Sequence, residues 1–268
     1  MTRRRILCEG PDDLNALRAI AQHVYKAKTT PAPGKQGAGA DRAAYLQIGD
    51  DVSIDIVVPS KGRGGPGDGK SALPRMIAEL LRDLPPQIGA GDESTVGLAA
   101  VVFDPDGQPI PTFYGEVERA IRAHASGWAF APQSPGTWSA LRESGERVEV
   151  RAVHWRALGG VVDNLPDVQN LERLLSSILG AAYPTGAPDI ERWLTEIGEV
   201  RRAAGRKAPT WKAAIHLWLA LVYEKADDIN AASRVLHQQD ECKPHIEAVL
   251  QQTGLLADLL PLLGPVQT

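Results

Sequence analysis

The eight residues Val96–Phe103, VGLAAVVF, constrain this chain more than any other stretch. They form an unbroken apolar run bounded by polar turns. A strand covered on both faces reads this way, as the central strand of a parallel sheet does. Three further segments read as strands: Arg4–Glu9, Val52–Val58 and Val148–Trp155. Helical spacing fills the intervals. PDDLNALRAIAQHVY starts at Pro11, SALPRMIAELLRDL at Ser71 and YGEVERAIRAHAS at Tyr114. Strands alternating with helices predict right-handed βαβ units and an α/β fold with a mainly parallel sheet. Residues 29–42, TTPAPGKQGAGADR, read as a mobile loop.

Beyond about residue 160 the pattern turns wholly helical. It runs through LPDVQNLERLLSSILGAAY, DIERWLTEIGEVRRAAG, TWKAAIHLWLALVYEK and DINAASRVLHQQ. Trp211, Ile215, Trp218, Leu219 and Val222 give the third of these a wide apolar face. The expected organisation is an α/β domain over residues 1–160 with a helical extension over 161–268 packed on it. The chain has 268 residues, 43% of them hydrophobic, enough for one large domain or a domain with an extension.

The net charge of −4 argues against a uniformly basic nucleic-acid coat. It leaves room for a local basic patch or metal-mediated phosphate contact. Cys8 and Cys242 lie far apart and show no zinc spacing, and Cys8 sits in an apolar run as a core residue would. The apolar run after the basic N-terminus stops at Cys8, too short for a signal sequence. TGLLADLLPLLG is broken by Asp258 and Pro261 and is too short to span a bilayer. The expectation is a cytoplasmic protein in a reducing compartment, without a membrane partner.

Two acidic elements stand at strand ends, where chemistry collects in open α/β sheets. Glu9 ends the first strand, and Asp104 and Asp106 end the strand of VGLAAVVF. Residues two apart on an extended chain point the same way, so the two aspartates can converge. If the first and third strands are neighbours or near neighbours, Glu9 joins them. Three facing carboxylates repel, and a hard divalent cation such as Mg²⁺ or Mn²⁺ relieves that. A plainer reading makes Asp104-Pro105-Asp106-Gly107 a type I turn with Pro second and Gly fourth. It makes Asp12 and Asp13 helix-dipole partners.

A competing signal is Gly64-Gly65-Pro66-Gly67-Asp68-Gly69-Lys70-Ser71, which fits the phosphate-loop pattern G-x-x-x-x-G-K-[ST]. With VGLAAVVFD as the metal-binding strand, it would make the chain a nucleotide-binding protein or ATPase. Its context is unfavourable. Pro59-Ser60-Lys61-Gly62-Arg63 separate it from the preceding strand, and Asp68 adds negative charge where phosphates would lie. It also leaves Glu9-Gly10-Pro11-Asp12-Asp13 without a role. Lys61, Arg63 and Lys70 instead suit a basic lip that contacts a nucleic-acid backbone. A solvated surface loop is the alternative.

The pairing of ILCEGPDDLNALRAI with VVFDPDG resembles the Toprim domain of topoisomerases, bacterial-type primases and overcoming-lysogenization-defect (OLD) nucleases. The form Glu9-Gly10-Pro11-Asp12-Asp13 looks most like the OLD-type and small standalone Toprim proteins. The resemblance implies a Toprim-like sheet and phosphodiester chemistry. Glu9 would be a metal ligand or general acid/base, Asp104 and Asp106 ligands of Mg²⁺ or Mn²⁺, and Asp13 a further ligand.

NLERLLSSIL and TWKAAIHLWLA resemble C-terminal helices of the standalone proteins. There Glu172 would be an extra acidic ligand, while Lys212 and His216, four apart on one helix face, would contact or protonate a phosphate. Each of these three also reads as an ordinary helix residue. The implied partners are DNA or RNA, an ATPase protein and a second copy of the chain. Neither a topoisomerase tyrosine context nor a primase zinc module is visible. The implied activity is therefore hydrolytic, with a non-catalytic Toprim module as the alternative.

Overall fold

The computed structural model describes residues 2–31, 42–58, 69–84, 96–159, 165, 167–222, 232 and 234–266. The chain divides into two compact units, Met1–His154 with Asp258–Thr268, and Trp155–Ala257.

The first unit is α/β. Its described strands are β1 (Thr2–Cys8), β2 (Lys28–Thr29), β3 (Ala43–Ile48), β4 (Val52–Val57), β5 (Val96–Phe103), β6 (Trp128–Ser134), β7 (Thr137–Arg142) and β8 (Arg147–His154). They form one sheet in the order β2-β3-β4-β1-β5-β8-β7-β6. The pairs β4–β1, β1–β5 and β5–β8 are parallel. The pairs β2–β3, β3–β4, β7–β8 and β6–β7 are antiparallel. The sheet is thus mixed, with a parallel centre and antiparallel flanks, where the sequence predicts a mainly parallel one.

Burial explains the difference. Every residue of β5 except Gly97 is buried, so the strand reads as an unbroken apolar run. In β3 only alternate residues, Ala44, Leu46 and Ile48, are buried, and β6 is exposed along most of its length. Half-buried and edge strands of this kind carry a weak signal. Pro132 within β6 also argues against a strand, yet an edge position tolerates it. The residues read as a loop from Thr29 instead begin in β2, and the Thr30 amide donates to the Tyr45 carbonyl at 2.9 Å. Residues 32–41 lie outside the described part. Gly136, in the β6–β7 turn, has φ +74°, and a Cβ there would stand 2.8 Å from both the Ala152 carbonyl and the Tyr114 ring. Only glycine closes that hairpin.

Helices α1 (Pro11–His23), α2 (Leu73–Asp83) and α3 (Ile110–His124) accompany the sheet. Leu73, Ile77 and Leu81 of α2 and Phe113, Val117 and Ile121 of α3 pack with Leu7, Ala99, Val101 and Phe103. Because strand side chains alternate, Ile6, Cys8, Ala100 and Val102 face the other side, and α1 packs against β3 and β4. The chain end returns to this unit, where the buried Arg4 guanidinium donates to the Gly264 carbonyl.

The second unit is helical among its described residues: α4 (Leu171–Ala182), α5 (Ala187–Ala203), α6 (Trp211–Val222), a π-helical turn (Arg234–Gln238) and α7 (Lys243–Gln252). Asn170 caps α4 by accepting the Arg173 amide at 2.9 Å. The Arg173 side chain is buried, and it donates to Asp167 Oδ1 at 2.7 Å and to the Gly159 carbonyl at 2.9 Å. Trp211, Ala214, Ile215, Trp218 and Leu219 form the buried face of α6, and Trp218 donates to Ser176 Oγ at 2.9 Å. The last helix, α8 (Leu255–Leu263), carries the chain back to the first unit. Among the described residues no single helix is long and apolar enough to cross a membrane. Helices α7 and α8 reach that length and apolarity only together, across a break at Thr253–Gly254.

Candidate functional site

Parallel strands β1 and β5 are direct neighbours, paired from Arg3 to Cys8. Their carboxyl ends therefore lie side by side, and the first residue beyond each is acidic. Glu9 Oε1 accepts the Asp104 backbone amide at 2.8 Å. Two acidic elements separated by 95 residues of chain thus meet at one point. Asp13, in the first turn of α1, is buried, and its Oδ2 accepts the Gly10 amide at 3.1 Å. This bond fixes the backbone just after Glu9 and caps the helix, as the plainer reading of Asp13 requires.

The aspartates are not arranged as two side chains of an extended strand. β5 ends at Phe103, and a turn follows in which the Gln108 amide donates to the Pro105 carbonyl at 2.8 Å. Its central residues, Asp106 and Gly107, have φ +49° and +77°. Positive φ at both central positions is the requirement of a type I′ turn, which Asp-Gly satisfies well. The expected type I turn over 104–107 is thus replaced by a turn of opposite hand, one residue later. Asp106 stands on its exposed side and Asp104 is half-buried.

Lys70 enters the same site. It lies in a 3₁₀ turn, Gly69–Ala72, and its ammonium donates to the Pro105 carbonyl. At Gly69 a Cβ would stand 3.9 Å from Glu9 Oε2. The C-terminal end of the phosphate-loop pattern is therefore part of the carboxylate site. Nothing in the residue types foretells this. The only signal is that Gly69-Lys70-Ser71 precedes a helix that packs on the sheet. Lys61, Arg63 and Gly64–Asp68 lie outside the described residues.

Burial is the main cause that lifts the Glu9 carboxyl from its ordinary value near 4.5 to about 7. The Asp104 amide opposes that rise. The charges of Asp13 and Asp106 add to it, and Lys70 counters them. A carboxyl poised near neutrality can hold or release a proton under physiological conditions. Beneath it, burial, with help from Asp13 and Glu9, pushes the Cys8 thiol well up. Cys8 is a buried free cysteine, and it is protonated at neutral pH.

Glu172, Lys212 and His216 belong to the second unit. Glu172 is half-buried in the first turn of α4, a favourable place for an acid. Lys212 and His216 are exposed on α6, away from its buried tryptophan face. Among the described residues, no three His, Cys, Asp or Glu side chains stand close enough together to hold a metal ion. The oxygen donors of Glu9, Asp104 and Asp106 suit Mg²⁺ or Mn²⁺ in kind. Their present spacing is that of a carboxylate bonded to an amide, with a second acid on the turn.

No family model matches the chain, and no curated protein matches it. Its fold is similar to that of a solved structure, the hypothetical protein PH0156 from Pyrococcus horikoshii OT3. The TM-score is 0.61 at 14% identity, over 98% of this chain and 100% of that one. At that identity the likeness is one of fold alone. A lactoylglutathione lyase from Agrobacterium tumefaciens aligns with 57% of this chain and 92% of its own, at 12% identity and a TM-score of 0.18. A likeness that slight carries no argument.

Proposed function

We propose that the first unit is a Toprim-like, divalent-metal-dependent phosphodiesterase that hydrolyses DNA or RNA at the β1/β5 strand ends. One observation carries the reading: Glu9 and Asp104, from separate acidic motifs, meet through a 2.8 Å bond at the ends of adjacent parallel strands. The parallel centre β4-β1-β5-β8 is the part of the sheet that supports this reading, in which the antiparallel strands at either flank would be additions.

To hold Mg²⁺ or Mn²⁺, the side chains of Asp104 and Asp106 would have to draw toward Glu9 from their present spacing. The ion would then supply a more acidic water and stabilise charge on the phosphate. The Glu9 carboxyl lies at about 7 without metal. A bound divalent cation would pull it down, leaving Glu9 as a ligand or as the general base for the attacking water. Asp13 holds the Gly10 amide and so orients Glu9. The cytoplasm, a nucleic-acid substrate, an ATPase partner and a second copy of the chain belong to the same proposal. The roles that the resemblance implies for Glu172, Lys212 and His216 of the second unit belong to the same proposal.

The test is cleavage of a panel of DNA and RNA substrates with Mg²⁺ or Mn²⁺ by the full chain, Glu9→Gln and Asp104→Asn. We expect wild-type cleavage and a loss of about 10³-fold or more in either variant. Cleavage that survives both substitutions sinks the reading. Calorimetric titration with Mg-ATP decides the nucleotide-binding alternative, which requires binding that Lys70→Met abolishes. A folded protein that neither cleaves nor binds ATP, yet holds nucleic acid, is the non-catalytic module.

A further inference from the structure

We infer that Lys70 is a positioning residue of the carboxylate site, clamping the turn that carries Asp104 and Asp106. The activity readout below rests on the phosphodiesterase reading, whereas the structural readout does not.

Asp-Gly suits the type I′ geometry, with φ +49° at Asp106 and +77° at Gly107. The turn is exposed at both of these residues, so contacts from outside it fix where it sits. Here the Pro105 carbonyl accepts two donors, the Gln108 amide within the turn at 2.8 Å and the Lys70 ammonium from outside it. Both lone pairs of that oxygen are then used. On the other side of Pro105, the Asp104 amide is held by Glu9 Oε1 at 2.8 Å. At the far end, Gln108 Nε2 donates to Glu116 Oε1 of α3 at 3.0 Å. The Asp104–Gln108 segment is thereby pinned from β1, from the 3₁₀ turn and from α3.

Lys70 contributes a charge-assisted member of this set whose charge is on the donor, one of the stronger kind of hydrogen bond. It also sets a positive charge near Glu9 that offsets the charges of Asp13 and Asp106 there. This role differs from that of a basic lip. A lip lysine touches substrate phosphate, and its loss weakens binding. A clamp lysine touches backbone, and its loss moves the aspartates.

The test uses the full chain, ¹⁵N-labelled, as wild type, Lys70→Met and Lys70→Arg. In Lys70→Met we expect the Gly107 and Gln108 amide signals to shift and Gln108 hydrogen exchange to quicken roughly tenfold or more. Amides of β4 report global folding in the same spectra and should stay in place. Lys70→Arg, which can still donate to the Pro105 carbonyl, should restore the signals. Cleavage should fall about 10–10²-fold in kcat, with KM unchanged and the salt dependence of nucleic-acid binding unaltered.

Unchanged Gly107 and Gln108 amides in a folded Lys70→Met overturn the inference. So does a salt slope reduced by about one, because that places Lys70 on a phosphate. If wild type never cleaves but Lys70→Met loosens the turn, the phosphodiesterase reading fails and the clamp stands.

Discussion

The parallel centre of the sheet, β4-β1-β5-β8, and its antiparallel flanks, β2-β3 and β7-β6, are built from different kinds of sequence. In the centre, Ile6, Leu7, Cys8 and all of Ala99–Phe103 are buried, so both faces of β1 and β5 are covered. Such strands cannot slip by a residue without exchanging one buried face for another already filled. Their ends are therefore fixed in space. The flanks bury one face or none: Trp138 and Ala140 of β7 are inside, while β6 is mostly outside. Chemistry that depends on ångström placement belongs at the end of the centre, and that is where Glu9 and Asp104 meet.

The largest expected contrast between centre and flank is in activity. The loss of about 10³-fold or more in Glu9→Gln and Asp104→Asn should have no counterpart among substitutions in β6. A flank variant that abolishes cleavage while remaining folded would break the comparison.

Next in size is stability. Phe103 is fully buried and stacked on Phe113, with ring centroids 3.7 Å apart. Phe103→Ala should cost about 3–5 kcal/mol in denaturant unfolding. A cost below about 1 kcal/mol would mean that the end of β5 is not the packed anchor described above.

A smaller effect separates Glu9 from ordinary surface acids. Its carboxyl is raised from 4.5 to about 7 in the folded chain, so the folded state binds that proton more tightly than the unfolded one. The stability this confers is complete below pH 4.5 and is lost as pH rises through 7. Glu9→Gln keeps the neutral form at every pH. Its melting temperature should exceed that of wild type by a few degrees at pH 8, and the gap should close by pH 4. A gap independent of pH would mean that Glu9 is not desolvated. Smallest of all, Ala129→Ser in exposed β6 should change stability by less than about 0.5 kcal/mol, measured by the same unfolding.

How much was legible follows from the same contrast. VGLAAVVF and ILC are readable because double burial demands unbroken apolar runs. The helix after Glu9 is readable because Pro11, Asp12 and Asp13 suit a helix start and Leu14 and Leu17 repeat at helical spacing. AAYLQI and WAFAPQS are not, because one-sided or edge burial leaves mixed composition and tolerates Pro132. Glu9 and Asp104 are legible as acids at strand ends. Their partnership is conditional on strand order, which local sequence does not encode.

By itself the sequence determined the buried strands, their acidic ends and the change to helix beyond the sheet, since burial and local hydrogen bonding act over a few residues. Tertiary structure alone decided two things. It made β1 and β5 neighbours, so that Glu9 reaches the Asp104 amide. It also carried Lys70 from a phosphate-loop pattern to the Pro105 carbonyl. Each is a contact between segments 35 or more residues apart, and only the packed sheet brings those segments together.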